Sequence, residues 1–209
     1  MVIFDLDGTL YKTHETTLPP LRRVCAAYGI ALTQDDEHYL LHTTARHLLA
    51  RIAPDMPEAE IIRFSAALRE GERAAVREKG ALFDGAAALV RELYEAGHVL
   101  SVCGMGEREY IRTILEKCGI APYFSYVYHR MEGKTKSEVL AQLLQDTGVR
   151  AADCIMIGDS GTDRHAAEDN GVLFIGVTYG YDAAALVGCE KLADSVETMR
   201  ELVLSVLKG

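Results

Sequence analysis

Six side chains in this chain have the types and spacing to do chemistry together: four carboxylates in two pairs, and two lysines. Asp5 and Asp7 stand two residues apart where the apolar run Val2-Ile-Phe4 meets Gly8. Side chains at i and i+2 of a strand point the same way. Two carboxylates converging there repel each other, which is tolerable mainly when a cation lies between them. Asp159 follows a second apolar run, Ile155-Met-Ile-Gly158, and offers carboxylate oxygen to a hard cation. Asp163 falls near the start of the next helix, where an acidic residue is also favourable simply as a cap. Lys134 and Lys136, just before another helix, carry charge that would offset a carboxylate cluster, or are merely solvated.

These residues need elements to position them. A short apolar run stopped by glycine reads as a buried strand of a parallel sheet, and ligands of such sheets bind beyond the strands' carboxyl ends. Asp5, Asp7 and Asp159 would all sit at that edge. From Leu82 onward, strands alternate with helices of about ten residues, the pattern of βαβ units. Strands are predicted at His98–Cys103, Phe124–His129, Cys154–Ile157 and, last, Leu173–Val177. Helices are predicted at Ala86–Ala96, Glu107–Cys118, Lys136–Thr147, Asp163–Asn170 and Thr198–Leu207.

Between Leu21 and Gly80 no strand pattern appears. Tyr11 to Thr17 is polar and ends at Leu18-Pro19-Pro20. One helix follows to Gly29, a second opens at Thr33-Gln-Asp-Asp36 and runs to Leu49, and Glu58–Arg77 forms one or two more. The expected fold is therefore α/β: a Rossmann-like, doubly wound, mostly parallel sheet with an inserted all-helical domain. Residues 1–14 and 81–209 would form the α/β core and 15–80 the insert.

Composition narrows the partners. A net charge of −9 over 209 residues argues against a general nucleic-acid or membrane-surface binder, which needs a basic footprint. The five cysteines are scattered without CxxC spacing, as expected of reduced thiols rather than disulfides or a zinc site. The N-terminus lacks the pattern of a signal peptide, so a cytoplasmic protein, monomer or homodimer, is expected.

Asp5-Leu-Asp-Gly-Thr9 with its following leucine, and Gly158-Asp159 with Asp163 after an apolar strand, resemble the first and fourth motifs of the haloacid dehalogenase superfamily. The layout is similar to its phosphoglycolate phosphatase-like branch, which carries a helical cap between core elements. The lysine of Lys136-Ser-Glu-Val-Leu140 resembles the third motif and favours Lys136 over Lys134. The resemblance implies a Mg²⁺-dependent phosphatase acting on a small phosphorylated metabolite. Asp5 would be the nucleophile and Asp7 the general acid/base, with Mg²⁺ held by Asp5, the Asp7 carbonyl and Asp159, and Asp163 in or beside that shell. Asp7 also speaks against haloacid dehalogenation itself, which uses no acid/base aspartate at that position.

The second motif departs from the pattern. Gly104 and Met105 stand where the family usually has a hydroxyl residue and an asparagine holding the phosphate. Cys103 is a poor substitute, and Ser101 lies one pleat back. The N–H groups of Gly104, Met105 and Gly106 would then form the anion-binding nest. Two alternatives follow: a degenerate relative that binds a phosphorylated ligand or partner without turnover, and a β-phosphoglucomutase-like phosphomutase. Polar candidates in or near the insert are His14, Glu15, His38, His42, Arg46 and His47. His38 and His42 have metal-capable i, i+4 spacing but no third ligand nearby. Tyr179-Gly-Tyr181 resembles a rim loop and is read as structural.

Overall fold

The computed structural model describes residues 1–208. Its sheet has six strands: β1 (Val2–Phe4), β2 (Leu100–Cys103), β3 (Tyr126–Tyr128), β4 (Ile155–Gly158), β5 (Leu173–Val177) and β6 (Leu192–Ala193). All neighbours pair in parallel, in the order β3-β2-β1-β4-β5-β6. The winding reverses between β1 and β4, and such a switch point leaves a crevice at the strands' carboxyl ends. Asp5 follows β1 and Asp159 follows β4, so this topology brings two of the four carboxylates to the same crevice.

The apolar runs form strands for a physical reason. β1, β2 and β4 are buried along their whole length, so both faces must be apolar and the sequence reads as continuous hydrophobic stretches. Edge strand β3 (Tyr-Val-Tyr) is partly exposed instead. On one face Ile3 and Met156, paired across β1 and β4, pack with Val139 and Leu143 of α7 (Lys136–Thr147) and Ala166 of α8 (Gly161–Asn170). Burying such side chains contributes roughly 25 cal/mol per Å² of apolar surface.

The chain divides into two compact units, Met1–Lys12 with Ala81–Gly209, and Thr13–Gly80. The excursion leaves and returns along one antiparallel seam. Tyr11 bridges Leu82, Lys12 N–H donates to Ala81 O at 3.0 Å and Phe83 N–H to Leu10 O at 2.9 Å.

The second unit is helical throughout: α1 (Thr13–Ala27), α2 (Gln34–Leu41), α3 (Ala45–Ile52) and α4 (Glu58–Lys79). Its core gathers Leu21, Cys25, Leu48, Leu49, Phe64 and Leu68. Two expectations change here. The segment Tyr11–Thr17 is not a loop up to the prolines. Helix α1 starts at Thr13 and runs through Pro19 and Pro20, although neither can donate to a carbonyl one turn back. Tertiary packing outweighs that loss, because Pro20 fits where a Cβ on Gly71 of α4 would otherwise lie, 2.7 Å away. The predicted helix from Thr33 to Leu49 is two helices. It breaks at His42, and Thr44 caps a fresh start by accepting from His47 N–H at 3.3 Å.

In the α/β unit, α5 (Ala86–Glu95), α6 (Arg108–Lys117) and α9 (Val196–Lys208) complete the helices. The sheet does not end at Leu173–Val177. Leu192 and Ala193 add a two-residue edge strand too short to show a period. Among the described residues no helix is long and apolar enough to cross a membrane.

Candidate active site

The residues around Asp5 are held by backbone bonds before any side chain is considered. Asp5 N–H donates to Ile157 O at 2.8 Å, continuing the β1–β4 ladder past the strand end. The chain then turns tightly: Leu6 O accepts from Leu10 N–H at 3.0 Å and Tyr11 N–H at 2.9 Å, and Gly8 N–H donates to Tyr11 O at 3.0 Å. Gly8 adopts φ +80°, a conformation that L side chains rarely take, and a Cβ there would collide with the Asp159 carboxylate. Gly180 is pressed against Asp159 and Gly158 against Asp163 in the same way. Glycine at these places makes room for carboxylates.

Asp5, Asp159 and Asp163 are all buried, and one carboxylate oxygen from each lies within 4.8 Å of the others. Lys136, buried at the first position of α7, makes ion pairs with Asp5 Oδ1 and Asp163 Oδ1. Its helix start is fixed by a reciprocal cap. Thr135 Oγ1 accepts from Glu138 N–H at 3.3 Å, and Glu138 Oε2 accepts from Thr135 N–H at 2.7 Å. Lys134 points elsewhere and donates to Gln142 Oε1 at 2.9 Å.

Asp163 is the helix-capping residue that its position allowed, and it faces Lys136 as well. Its Oδ2 accepts from Ser160 N–H at 3.0 Å and Ser160 Oγ at 2.6 Å, completing the α8 cap, while Oδ1 faces Lys136. Asp159 Oδ2 accepts from Tyr181 N–H at 2.7 Å.

The electrostatics match a crowded, buried cluster of carboxylates. Burial pushes the Asp5 carboxyl well above its ordinary value, against the pull of Lys136 and with the push of Asp163, Asp159 and Asp7. Burial, then Asp163, push Asp159 up to about 7, with the Tyr181 N–H and Lys136 opposing. Burial by itself would lower the Lys136 ammonium, but Asp163 and Asp5 carry it above its ordinary value. Cys103, one residue before Gly104, has its thiol pushed up to about 12 by burial. It is therefore a neutral thiol and not a nucleophile.

The oxygen donors suit a hard divalent cation. Three buried carboxylates share one lysine, and an excess of buried negative charge is costly unless a cation compensates it. Asp5, Asp159 and Asp163 each offer a carboxylate oxygen to such a cation, with Asp163 Oδ2 already taken by the Ser160 cap.

At the end of β2 the expectation of a three-residue nest needs correction. Gly104 N–H donates to Tyr128 O at 3.0 Å and so belongs to the sheet ladder. The N–H groups of Met105 and Gly106 have no hydrogen-bond partner among the described residues, and they alone of the three remain available to an anion. A Cβ on Gly104 would lie 3.1 Å from Ile111 Cδ1, so a hydroxyl residue there would have to displace that side chain slightly.

Two contributors were not legible. Tyr110, in the first turn of α6, donates its hydroxyl to Asp7 Oδ1 at 2.9 Å. Nothing in the sequence links residues 103 positions apart. The loop Tyr179-Gly-Tyr181 does more than shape the rim, since its backbone binds Asp159, and Gly180 was the available signal. Tyr179 itself is structural. Its hydroxyl donates to Thr9 O at 2.8 Å, and its ring meets Phe83 at 4.8 Å.

Four of the candidates in or near the insert, Arg46, His47, His38 and His42, are engaged within the helical unit. Arg46 pairs with Glu58, His47 Nδ1 bonds Thr43 Oγ1 at 3.1 Å, and the His38 and His42 rings meet edge-on at 5.1 Å. The metal-capable cluster found among the described residues contains no histidine.

A parallel sheet wound in this order, with an acidic switch-point crevice and one buried lysine, defines a hydrolase class recognised by comparison with known proteins. The haloacid dehalogenase-like hydrolase model matches residues 2–177, and the chain belongs to that family as an enzyme of its phosphatase kind. It is 29% identical over 202 residues to a phosphoglycolate phosphatase of Agrobacterium fabrum, covering 91% of this chain and 85% of that one. It is 30% identical over 185 residues to a 5'-nucleotidase of Pseudomonas aeruginosa, covering 86% and 83%. A haloacid dehalogenase-like hydrolase from Streptococcus pneumoniae shares the fold with a TM-score of 0.84 at 19% identity, over 99% of this chain and 97% of that one.

Proposed function

We propose that this protein is a Mg²⁺-dependent phosphatase that hydrolyses a small phosphomonoester through an aspartyl-phosphate on Asp5. The observation that carries the reading is the buried triad of Asp5, Lys136 and Asp163 at the β1–β4 switch point, with Asp159 beside it. A nucleophilic carboxylate must meet an anionic substrate, and the lysine ammonium lowers the repulsion between them.

Asp5 attacks phosphorus, forming an acyl phosphate while the bond to the leaving oxygen breaks. Asp7 gives its proton to that oxygen. Asp7 then takes a proton from water, which attacks the acyl phosphate and releases inorganic phosphate, restoring Asp5. Asp5, Asp159 and the Asp7 carbonyl would hold Mg²⁺, which when bound would supply charge neutralisation for the approach of one anion to another. The N–H groups of Met105 and Gly106 bind phosphoryl oxygens. The relatives' names, one for phosphoglycolate and one for 5'-nucleotides, support a small phosphomonoester as the substrate class.

The test is Mg²⁺-dependent phosphate release across a panel of such esters, with Asp5→Asn as the control. Turnover should fall at least about a thousandfold in the variant, as expected when a covalent nucleophile is removed. Equal release by both proteins, or none by either when folded and Mg²⁺-loaded, would sink the reading.

A further inference from the structure

The glycines in Gly104-Met105-Gly106 have a shared consequence for α6. A Cβ on Gly104 would lie 3.1 Å from Ile111 Cδ1, and one on Gly106 would lie 2.9 Å from Tyr110 Cδ1 and 3.3 Å from Ile111 Cγ1. Each separation is tighter than ordinary van der Waals contact. The first turn of α6 therefore packs onto the β2 loop so closely that a Cβ at Gly106 would displace the Tyr110 ring and one at Gly104 would press on Ile111. The loop is held at both ends, by Gly104 N–H on Tyr128 O and by Arg130 N–H on Gly106 O, each 3.0 Å. It cannot swing aside to admit a Cβ without breaking into the sheet edge. The close approach delivers the Tyr110 hydroxyl to Asp7 Oδ1 at 2.9 Å.

We infer that Tyr110 is a positioning residue for Asp7, and that Gly106 is the space its ring requires. The departure from the family's second motif is on this view an exchange and not a decay. Side chains that would have reached the phosphate are replaced by a helix that reaches the proton-transfer carboxylate. The Tyr110 O–H holds Asp7 Oδ1 as acceptor and so limits the orientations the carboxyl group can take. A carboxylate free to rotate would present its proton less often in the geometry that transfer needs. The inference rests on the assignment of Asp7 as acid/base in the proposed function. A protein that only bound a phosphorylated ligand would have no use for an oriented Asp7.

The test uses leaving groups that differ in their need for a proton. An alkyl phosphate, such as glycerol phosphate, leaves as a basic alkoxide and needs the acid. Nitrophenyl phosphate leaves as a stable phenolate and hardly does. In Tyr110→Phe, kcat/KM for the alkyl ester should fall about tenfold with little change in KM, the size expected for one hydrogen bond to a charged group. The value for nitrophenyl phosphate should stay within about twofold. Gly106→Ala, which pushes the tyrosine ring away with the hydroxyl still present, should lower kcat/KM for the alkyl ester about tenfold more than for nitrophenyl phosphate, whatever it does to both through the phosphate-binding Gly106 N–H. It also serves if Tyr110→Phe folds poorly.

Equal losses on both esters, or no loss on either, with the wild type active, would overturn the positioning role and leave the phosphatase reading intact. A wild type inactive on both esters and indistinguishable from Asp5→Asn would overturn the phosphatase reading, and this inference with it.

Discussion

The buried carboxylates of the α/β unit's crevice behave in the opposite way to the capping and ion-paired carboxylates of the helical unit. In the α/β unit Asp5 and Asp159 are buried beside other carboxylates, and desolvation pushes both above the ordinary carboxylate range. In the helical unit Asp36 is held below it by the Thr33 hydroxyl and backbone, and Glu37 by the Arg22 guanidinium. The first arrangement stores unfavourable charge and the second removes it. A carboxylate that caps a helix or meets a surface arginine stabilises the fold, whereas buried carboxylates gathered around one lysine call for something more. Thr33 and Ser160 begin similar reciprocal caps, but only the cap at Ser160 holds an aspartate that also faces Lys136.

The sharpest way to break this contrast is to remove the lysine. Lys136→Met leaves Asp5 and Asp163 buried without their cation and should cost about 3–5 kcal/mol of stability, measured by urea unfolding in the absence of Mg²⁺. An unchanged midpoint would mean that the two carboxylates do not need the ammonium.

Cation binding should separate the units next. At free Mg²⁺ a hundredfold above its dissociation constant, the α/β unit should gain about 2.7 kcal/mol, read as a rise in melting temperature that chelation reverses. Asp159→Asn should lose that rise. Asp36→Asn should keep it. If the response survives Asp159→Asn, the acidic crevice is not the cation site.

The smallest effect is expected in the helical unit. Thr33→Ala removes the α2 cap and should cost about 1 kcal/mol near pH 7. Because the folded carboxyl of Asp36 is held below its ordinary value, its contribution is present above that value and disappears as pH falls through the lowered one. The stability gap between wild type and Thr33→Ala should therefore narrow on going from pH 7 to pH 3. A gap that widened with acid would contradict the cap.

Much of the site was legible because buried parallel strands announce themselves. β1 and β4 are continuous apolar runs, so Asp5 and Asp159 could be assigned to strand ends and hence to one sheet edge. Lys136 and Asp163 were legible through the helix starts they occupy, each preceded by a hydroxyl residue that caps. The family resemblance was carried by these same residues, and the matching family model covers them all.

Other elements resisted reading because their causes are not local. Pro19 and Pro20 are helix breakers in isolation, and only the gap left by Gly71 accommodates Pro20 in the packed unit. The break between α2 and α3 carries no glycine or proline, only a threonine that caps, and threonine is common within helices too.

The sequence by itself determined which strands end in carboxylates, where the helix that carries Lys136 begins and which family the chain resembles, because buried strands and some helix starts follow short-range rules. The tertiary structure alone decided that Gly104 gives its N–H to β3, that Gly180 and Tyr181 enclose Asp159, and that Tyr110 reaches Asp7. Each of these is a contact between segments distant in sequence, set by how closely backbones approach, and residue spacing carries no record of that distance.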